Sequence, residues 1–126
     1  MLTSRKLALT AATAAIALLP ASAMAKDGDV VKAGSCTKGS TSKLKLRADD
    51  GRIQTEFEVD QNVAGVKWSV ALRRNGVLAA STTATTSAPS GSFSIRRLLT
   101  DGPGTDTISA RATSPSGEIC TARAAI

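Results

Sequence analysis

From residue 42 onward the chain alternates apolar and polar side chains with a period of two, and this rhythm restricts the fold more than any other feature. Successive side chains of a strand point to opposite faces, so such alternation describes strands with one buried and one wet face. Residues 42–48 (SKLKLRA) set Leu44 and Leu46 against Lys43, Lys45 and Arg47. Residues 53–59 (IQTEFEV) set Ile53, Thr55, Phe57 and Val59 against Gln54, Glu56 and Glu58. Between them Asp49-Asp50-Gly51-Arg52 is a hairpin turn in which Gly51 supplies the positive φ. A two-residue loop at Asp50-Gly51 fixes the register: Leu44 meets Phe57, Lys45 meets Glu56, and Lys43 meets Glu58. The lysines of this hairpin are thus answered by neighbouring glutamates and do not read as a binding stripe.

The pattern continues to the end of the chain. Residues 66–73 (VKWSVALR) turn Val66, Trp68, Val70 and Leu72 inward. Arg74-Asn75-Gly76 leads into a strand over residues 77–85. A three-residue loop there pairs Leu72 with Leu78, and a two-residue loop pairs it with Ala79. Residues 81–87 (STTATTS) are polar and β-branched, as suits an edge strand. Residues 92–99 (SFSIRRLL) place Phe93 and Ile95 inward, and residues 106–113 and 118–126 flank the turn Ser114-Pro115-Ser116-Gly117. No helical period is present. Seven strands at this spacing predict an all-β, single antiparallel seven-stranded β-sandwich of immunoglobulin-like type over residues 42–126. A small closed β-barrel is the alternative. Residues 26–41 read as a flexible lead-in fixed only at Cys36.

The first 25 residues read as a signal peptide. Arg5 and Lys6 precede a short apolar run over residues 7–19, Pro20 breaks it, and Ala23-Met24-Ala25 is a small-x-small cleavage site. Cleavage after Ala25 leaves a chain from Lys26 that is secreted, extracellular or held at the cell envelope. In such a compartment Cys36 and Cys120, the two cysteines of the chain, are expected to form a disulfide. Ala33-Gly34-Ser35-Cys36 faintly resembles a lipid-attachment motif, but Lys26, Asp27, Asp29 and Lys32 stand where an apolar stretch is required. No later segment is apolar for long enough to span a bilayer.

The chemistry available to the chain is narrow. There is no histidine and no tyrosine, and the cysteines are committed to each other, which removes the usual acid/base, metal ligand and thiol nucleophile. Ser40-Thr41-Ser42-Lys43 is the nearest approach to a Ser–Lys pair. The carboxylate pairs Asp49/Asp50, Glu56/Glu58 and Asp101/Asp106 could serve a hydrolase, yet each reads better as turn, cross-strand or loop residues. No aspartate-rich loop has calcium spacing. Phe57, Trp68 and Phe93 all fall on inward faces, leaving no platform for sugars or nucleobases. No enzyme activity, cofactor or metal is therefore expected.

Electrostatics remain. Without Arg5 and Lys6 the chain holds 14 basic and 10 acidic residues, a net charge of +4. Arg73, Arg74, Arg96 and Arg97 form the adjacent basic pairs, a possible contact for an anion or partner if the fold unites them. Lys32 and Lys38 could add to such a patch.

Four phrases, LKLRADDGRIQTEFEVD, APSGSFSIRRL, GTDTISARAT and GEICTARA, together resemble small uncharacterised exported proteins of high-GC Gram-positive bacteria. The likeness covers roughly residues 36–126, both cysteines included. It implies a bacterial extracellular setting and a compact β domain, and it carries no activity, ligand or site residue. The reading is a disulfide-stapled β-sandwich with a non-enzymatic binding or structural role. Its partner would be an anionic envelope polymer or an extracellular protein; nucleic acid is disfavoured. A secreted inhibitor acting through an exposed loop at residues 100–105 or 87–91 is the alternative, and a hydrolase using carboxylates or a Ser–Lys pair is the remote one.

Overall fold

The computed structural model describes residues 28–126; the signal peptide expected over residues 1–25 lies outside the described residues. The alternating segments become strands that expose one face and bury the other. In chain order they are β1 (Asp29–Ala33), β2 (Ser35–Cys36), β3 (Thr41–Asp49), β4 (Arg52–Asp60), β5 (Lys67–Arg74), β6 (Val77–Thr85), β7 (Ser92–Thr100), β8 (Thr107–Thr113) and β9 (Ile119–Ala125). No helix occurs among them.

Two antiparallel sheets result, a four-stranded one in the order β1-β3-β4-β7 and a five-stranded one in the order β2-β9-β8-β5-β6. They do not close into a barrel, so the barrel alternative is excluded: β1 and β7 end one sheet, and β2 and β6 the other. Between the sheets lies one continuous apolar core. Leu44, Leu46, Ile53, Phe57 and Val59 enter it from one side, and Trp68, Val70, Leu72, Ile108 and Ala112 from the other. Trp68 is fully buried, its ring centroid 6.0 Å from that of Phe93. The indole Nε1–H donates to Gln61 Oε1 at 3.0 Å, which satisfies the ring's polar atom.

The first hairpin has the expected register, with Leu44 opposite Phe57, Lys45 opposite Glu56 and Lys43 opposite Glu58. Asp50 and Gly51 both take positive φ (53° and 80°), as a two-residue turn matched to strand twist requires. The next hairpin departs from both expected registers. Its loop is Asn75-Gly76, pairing Arg74 with Val77 and Arg73 with Leu78, but Leu72 then meets Ala80. A β-bulge leaves Ala79 unpaired. Without it, the inward parity of β6 would bring Ser81 and Thr83 toward the core; with it, Ala80 and Ala84 pack there instead. β6 is an edge strand, as its composition suggested, and the bulge also blunts that edge.

The main correction concerns the lead-in. Residues expected to be flexible form β1 and β2, so the described chain has nine strands where seven were expected. β1 pairs along β3 from Asp29↔Arg47 to Ala33↔Lys43. The chain then crosses to the other sheet at Gly34, where a Cβ would collide with the Thr121 carbonyl and the Ser42 hydroxyl. β2 sets Cys36 directly opposite Cys120 on β9, and the two are disulfide-bonded.

Candidate functional site

The fold separates the arginines that the sequence offered as one patch. Arg96 lies on the outer face of the four-stranded sheet, where its Nε approaches Glu56 Oε2 at 3.4 Å. Arg97 is exposed on the same edge strand and donates from Nη1 to the Arg96 carbonyl at 2.7 Å. Arg73 belongs to the five-stranded sheet and faces away from the first. Arg74 turns aside to Asp106, with Nε and Nη2 each 3.0 Å from Oδ1. Arg73 and Arg96 thus stand on opposite outer faces of the molecule, and the four residues do not form one patch.

The two outer faces differ in how their charges are balanced. On the four-stranded sheet basic and acidic residues alternate across strands. Lys43 pairs with Glu58 at 3.3 Å, Lys45 with Asp29 at 3.3 Å, and Arg47 with Asp29 at 3.8 Å. Glu56 accepts a hydrogen bond from the Ser94 hydroxyl at 2.8 Å. That bond and the Arg96 guanidinium hold its carboxyl below the ordinary glutamate range, against some burial. A groove of about 420 Å³ on this face is lined by Lys45, Arg47, Glu56 and Arg96, so both signs meet in it.

The five-stranded sheet has no such balance. Its strands contain no Asp or Glu, yet they carry Lys67, Arg73, Arg111 and Arg123 as exposed residues. None of these four forms an ion pair with a described residue. Strand pairing gathers three of them. Arg73 on β5, Ser109 on β8 and Arg123 on β9 form one row across the sheet. Arg111 stands in the next row, between Ala71 and Thr121. All three arginines border a shallow depression of about 630 Å³ with Ser109, Thr121 and Ser35. Three guanidinium groups and three hydroxyls thus share one open surface, and hydroxyls can either donate or accept.

Two buried carboxylates hold loops to this scaffold. Asp106, 1% exposed, accepts from Arg74, from Asn75 Nδ2 at 3.0 Å and from the Gly102 amide at 3.0 Å. Burial pushes its carboxyl up, but the hydrogen bonds with Asn75 and Asp101, the Arg74 charge and the Gly102 amide outweigh this and hold it low. Glu118, also buried, clamps the turn before β3. It accepts from the amides of Lys38 and Ser40 at 3.0 and 2.9 Å, and from the Ser40 hydroxyl at 2.7 Å. Burial again opposes the charge, while these donors from Ser40 and Lys38 prevail and keep the carboxyl low. Sequence reasoning read Asp106 as loop punctuation and overlooked Glu118, because nothing local in the sequence shows which distant amides will reach a carboxylate.

The remaining candidates fall into structural positions. Of the Ser40-Thr41-Ser42-Lys43 segment, Ser40 bonds Glu118, Ser42 donates to the Thr121 carbonyl at 3.2 Å, and Lys43 points to the other face. Asp49 accepts from Gln54 Nε2 at 2.9 Å, and Glu58 pairs with Lys43. Cys36, Cys120 and Glu118 lie close together, but both sulfurs are consumed by the disulfide and offer no thiolate to a metal. Lys32 sits on β1 of the four-stranded sheet, and Lys38 spans to the Ser116 carbonyl at 2.9 Å. No known family model and no curated protein matches this chain.

Proposed function

We propose that the protein is an exported β-sandwich of immunoglobulin-like type with a non-enzymatic binding role at the cell envelope or outside the cell. The strand order supports the type. Taken as A, B, C, C′, E, F and G, the strands β3–β9 give A-B-E in one sheet and G-F-C-C′ in the other. Trp68 then lies buried on strand C. The disulfide differs from that of an antibody domain: it ties the added strand β2 to β9 along one sheet.

One observation carries the binding role, namely the face of the five-stranded sheet, whose cations have no ion-pair partner among the described residues and whose strands contain no carboxylate. Unpaired arginines on one face attract anions, whereas the opposite face neutralises its own charge. The test is retention of residues 26–126 on isolated envelope polymers and on immobilised polyanions. The reading expects retention that moderate salt reverses, and passage without retention at low salt contradicts it.

A second reading, inhibition of an extracellular protein through the loop at residues 100–105, rests on how firmly that loop is held. Asp101 donates to the Gly51 carbonyl at 3.2 Å, and Asp106 fixes Gly102. Protection of secreted proteases from their substrates by the purified domain would favour it.

A further inference from the structure

We infer that the Arg73–Arg111–Arg123 triangle binds the phosphates of a base-free phosphodiester polymer, a chain of polyol units joined through phosphate. This rests on the reading above that the face is the working surface, and adds the chemistry of what it takes.

The geometry of the cations comes first. Neighbouring strands lie about 4.8 Å apart and alternate residues about 6.7 Å apart along a strand, so adjacent arginine Cα atoms here are separated by roughly 8–10 Å. Lys67 extends the track along β5, six residues and about 20 Å from Arg73. Each arginine can therefore meet a separate anion of a partner that carries its anions at intervals. Anhydride-linked phosphates would crowd several charges into each such interval and leave most of them without a guanidinium.

Phosphate is favoured over carboxylate by the number and direction of donors. A carboxylate offers two oxygens in one plane, which a single guanidinium fork satisfies. Arg73, Arg111 and Arg123 surround Ser109 from three sides, so that a fork and a hydroxyl can approach one anion from different directions. A tetrahedral oxyanion has acceptors facing several directions and fits that arrangement better.

The depression is open and reaches across β2, β9, β8 and β5, without the walls that enclose most of a small ligand in a dedicated pocket. Such a surface suits an extended partner held by repeated weak contacts. No aromatic residue lies on it, since Trp68, Phe57 and Phe93 are all in the core. Stacking, which gives single-stranded nucleic acid much of its affinity, has no platform here.

The test is calorimetric titration of residues 26–126 with poly(glycerol phosphate), linear polyphosphate, single-stranded DNA and polygalacturonate of matched charge. Poly(glycerol phosphate) should bind most tightly, and with three phosphate contacts its affinity should fall about twentyfold as salt rises about fourfold. Arg111→Glu should weaken it about tenfold or more. Arg111→Lys keeps the charge and loses the fork, so it should give a smaller loss and serves if the reversal fails to fold. Lys43→Glu, on the opposite face, should leave affinity unchanged. Equal or tighter binding of polygalacturonate or polyphosphate would overturn the phosphodiester assignment while leaving the face as a binding surface. Tighter binding of DNA would overturn the base-free polymer. Binding indifferent to the Arg111 variants, or no binding to any polyanion, would overturn both this inference and the reading beneath it.

Discussion

Replacing Cys36 and Cys120 together by alanine removes a link between residues 84 apart in sequence, closing nearly the whole described domain. Alanine is preferred because Cys120 is fully buried, and a serine hydroxyl there would add a second penalty for an unsatisfied polar group. The folded state keeps the other restraints on this region: β1 still pairs with β3, and Glu118 still holds the turn at Lys38 and Ser40. The effect therefore acts chiefly on the unfolded chain, which regains the entropy of an open loop. For a closure of this length the chain-entropy relation gives about 4.5 kcal/mol at room temperature, an upper figure. A domain of this size unfolds with an entropy near 0.2 kcal/mol per kelvin, so the midpoint should fall by up to about 20 °C. Thermal melts followed by far-UV circular dichroism, with reduced wild type as a second comparison, measure it directly. A midpoint within about 3 °C of the oxidised protein would refute the reasoning, because so small a change corresponds to well under 1 kcal/mol.

Other consequences follow from the same contacts. Glu118 and Asp106 both have carboxyls held below their ordinary range. Their contribution is fully present above the unfolded pKa and is lost as pH falls through the lowered folded value. Urea unfolding as a function of pH should show stability falling below the ordinary carboxylate range, and Glu118→Gln should flatten that acid limb. At neutral pH this variant should lose about 1–2 kcal/mol, since a neutral amide oxygen replaces the charged oxygen that takes both backbone donors. Gly34→Ala should cost about 1–3 kcal/mol in urea unfolding, because the added methyl meets the Thr121 carbonyl at the crossing between sheets. Reversing Lys43 and Lys45 together should lower stability by about 1 kcal/mol through like-charge pairing with Glu58, Glu56 and Asp29.

The β3–β4 hairpin was readable in the sequence because its pairing is local and Asp50-Gly51 sets the loop length. The β5–β6 register was not, since the bulge at Ala79 answers to the demand of the distant core for Ala80 and Ala84. β1 and β2 escaped notice because short strands without clear alternation gain their pairing from edges formed elsewhere. The disulfide was expected from two cysteines in a chain whose N-terminus reads as a signal peptide, and it is present.

The cationic face shows the same division. The arginines adjacent in sequence do not act together, since Arg74 is drawn to Asp106 and Arg96 to Glu56. The residues that do meet, Arg73, Arg111 and Arg123, come from three strands joined only by the β5-β8-β9 ladder. A signal for two of them was present: in SARAT and TARAA each arginine alternates with alanines that face the core. Predicting that both pointed outward was within reach; predicting that Arg73 would join them required the strand order.

The most direct measurement is a nuclear magnetic resonance titration of residues 26–126 with poly(glycerol phosphate), following the arginine Nε–H signals. Arg73, Arg111 and Arg123 should shift together and saturably while Arg96 and Arg47 stay in place. Shifts confined to the Arg47 and Arg96 face, or no saturable shift at the three, would contradict this expectation.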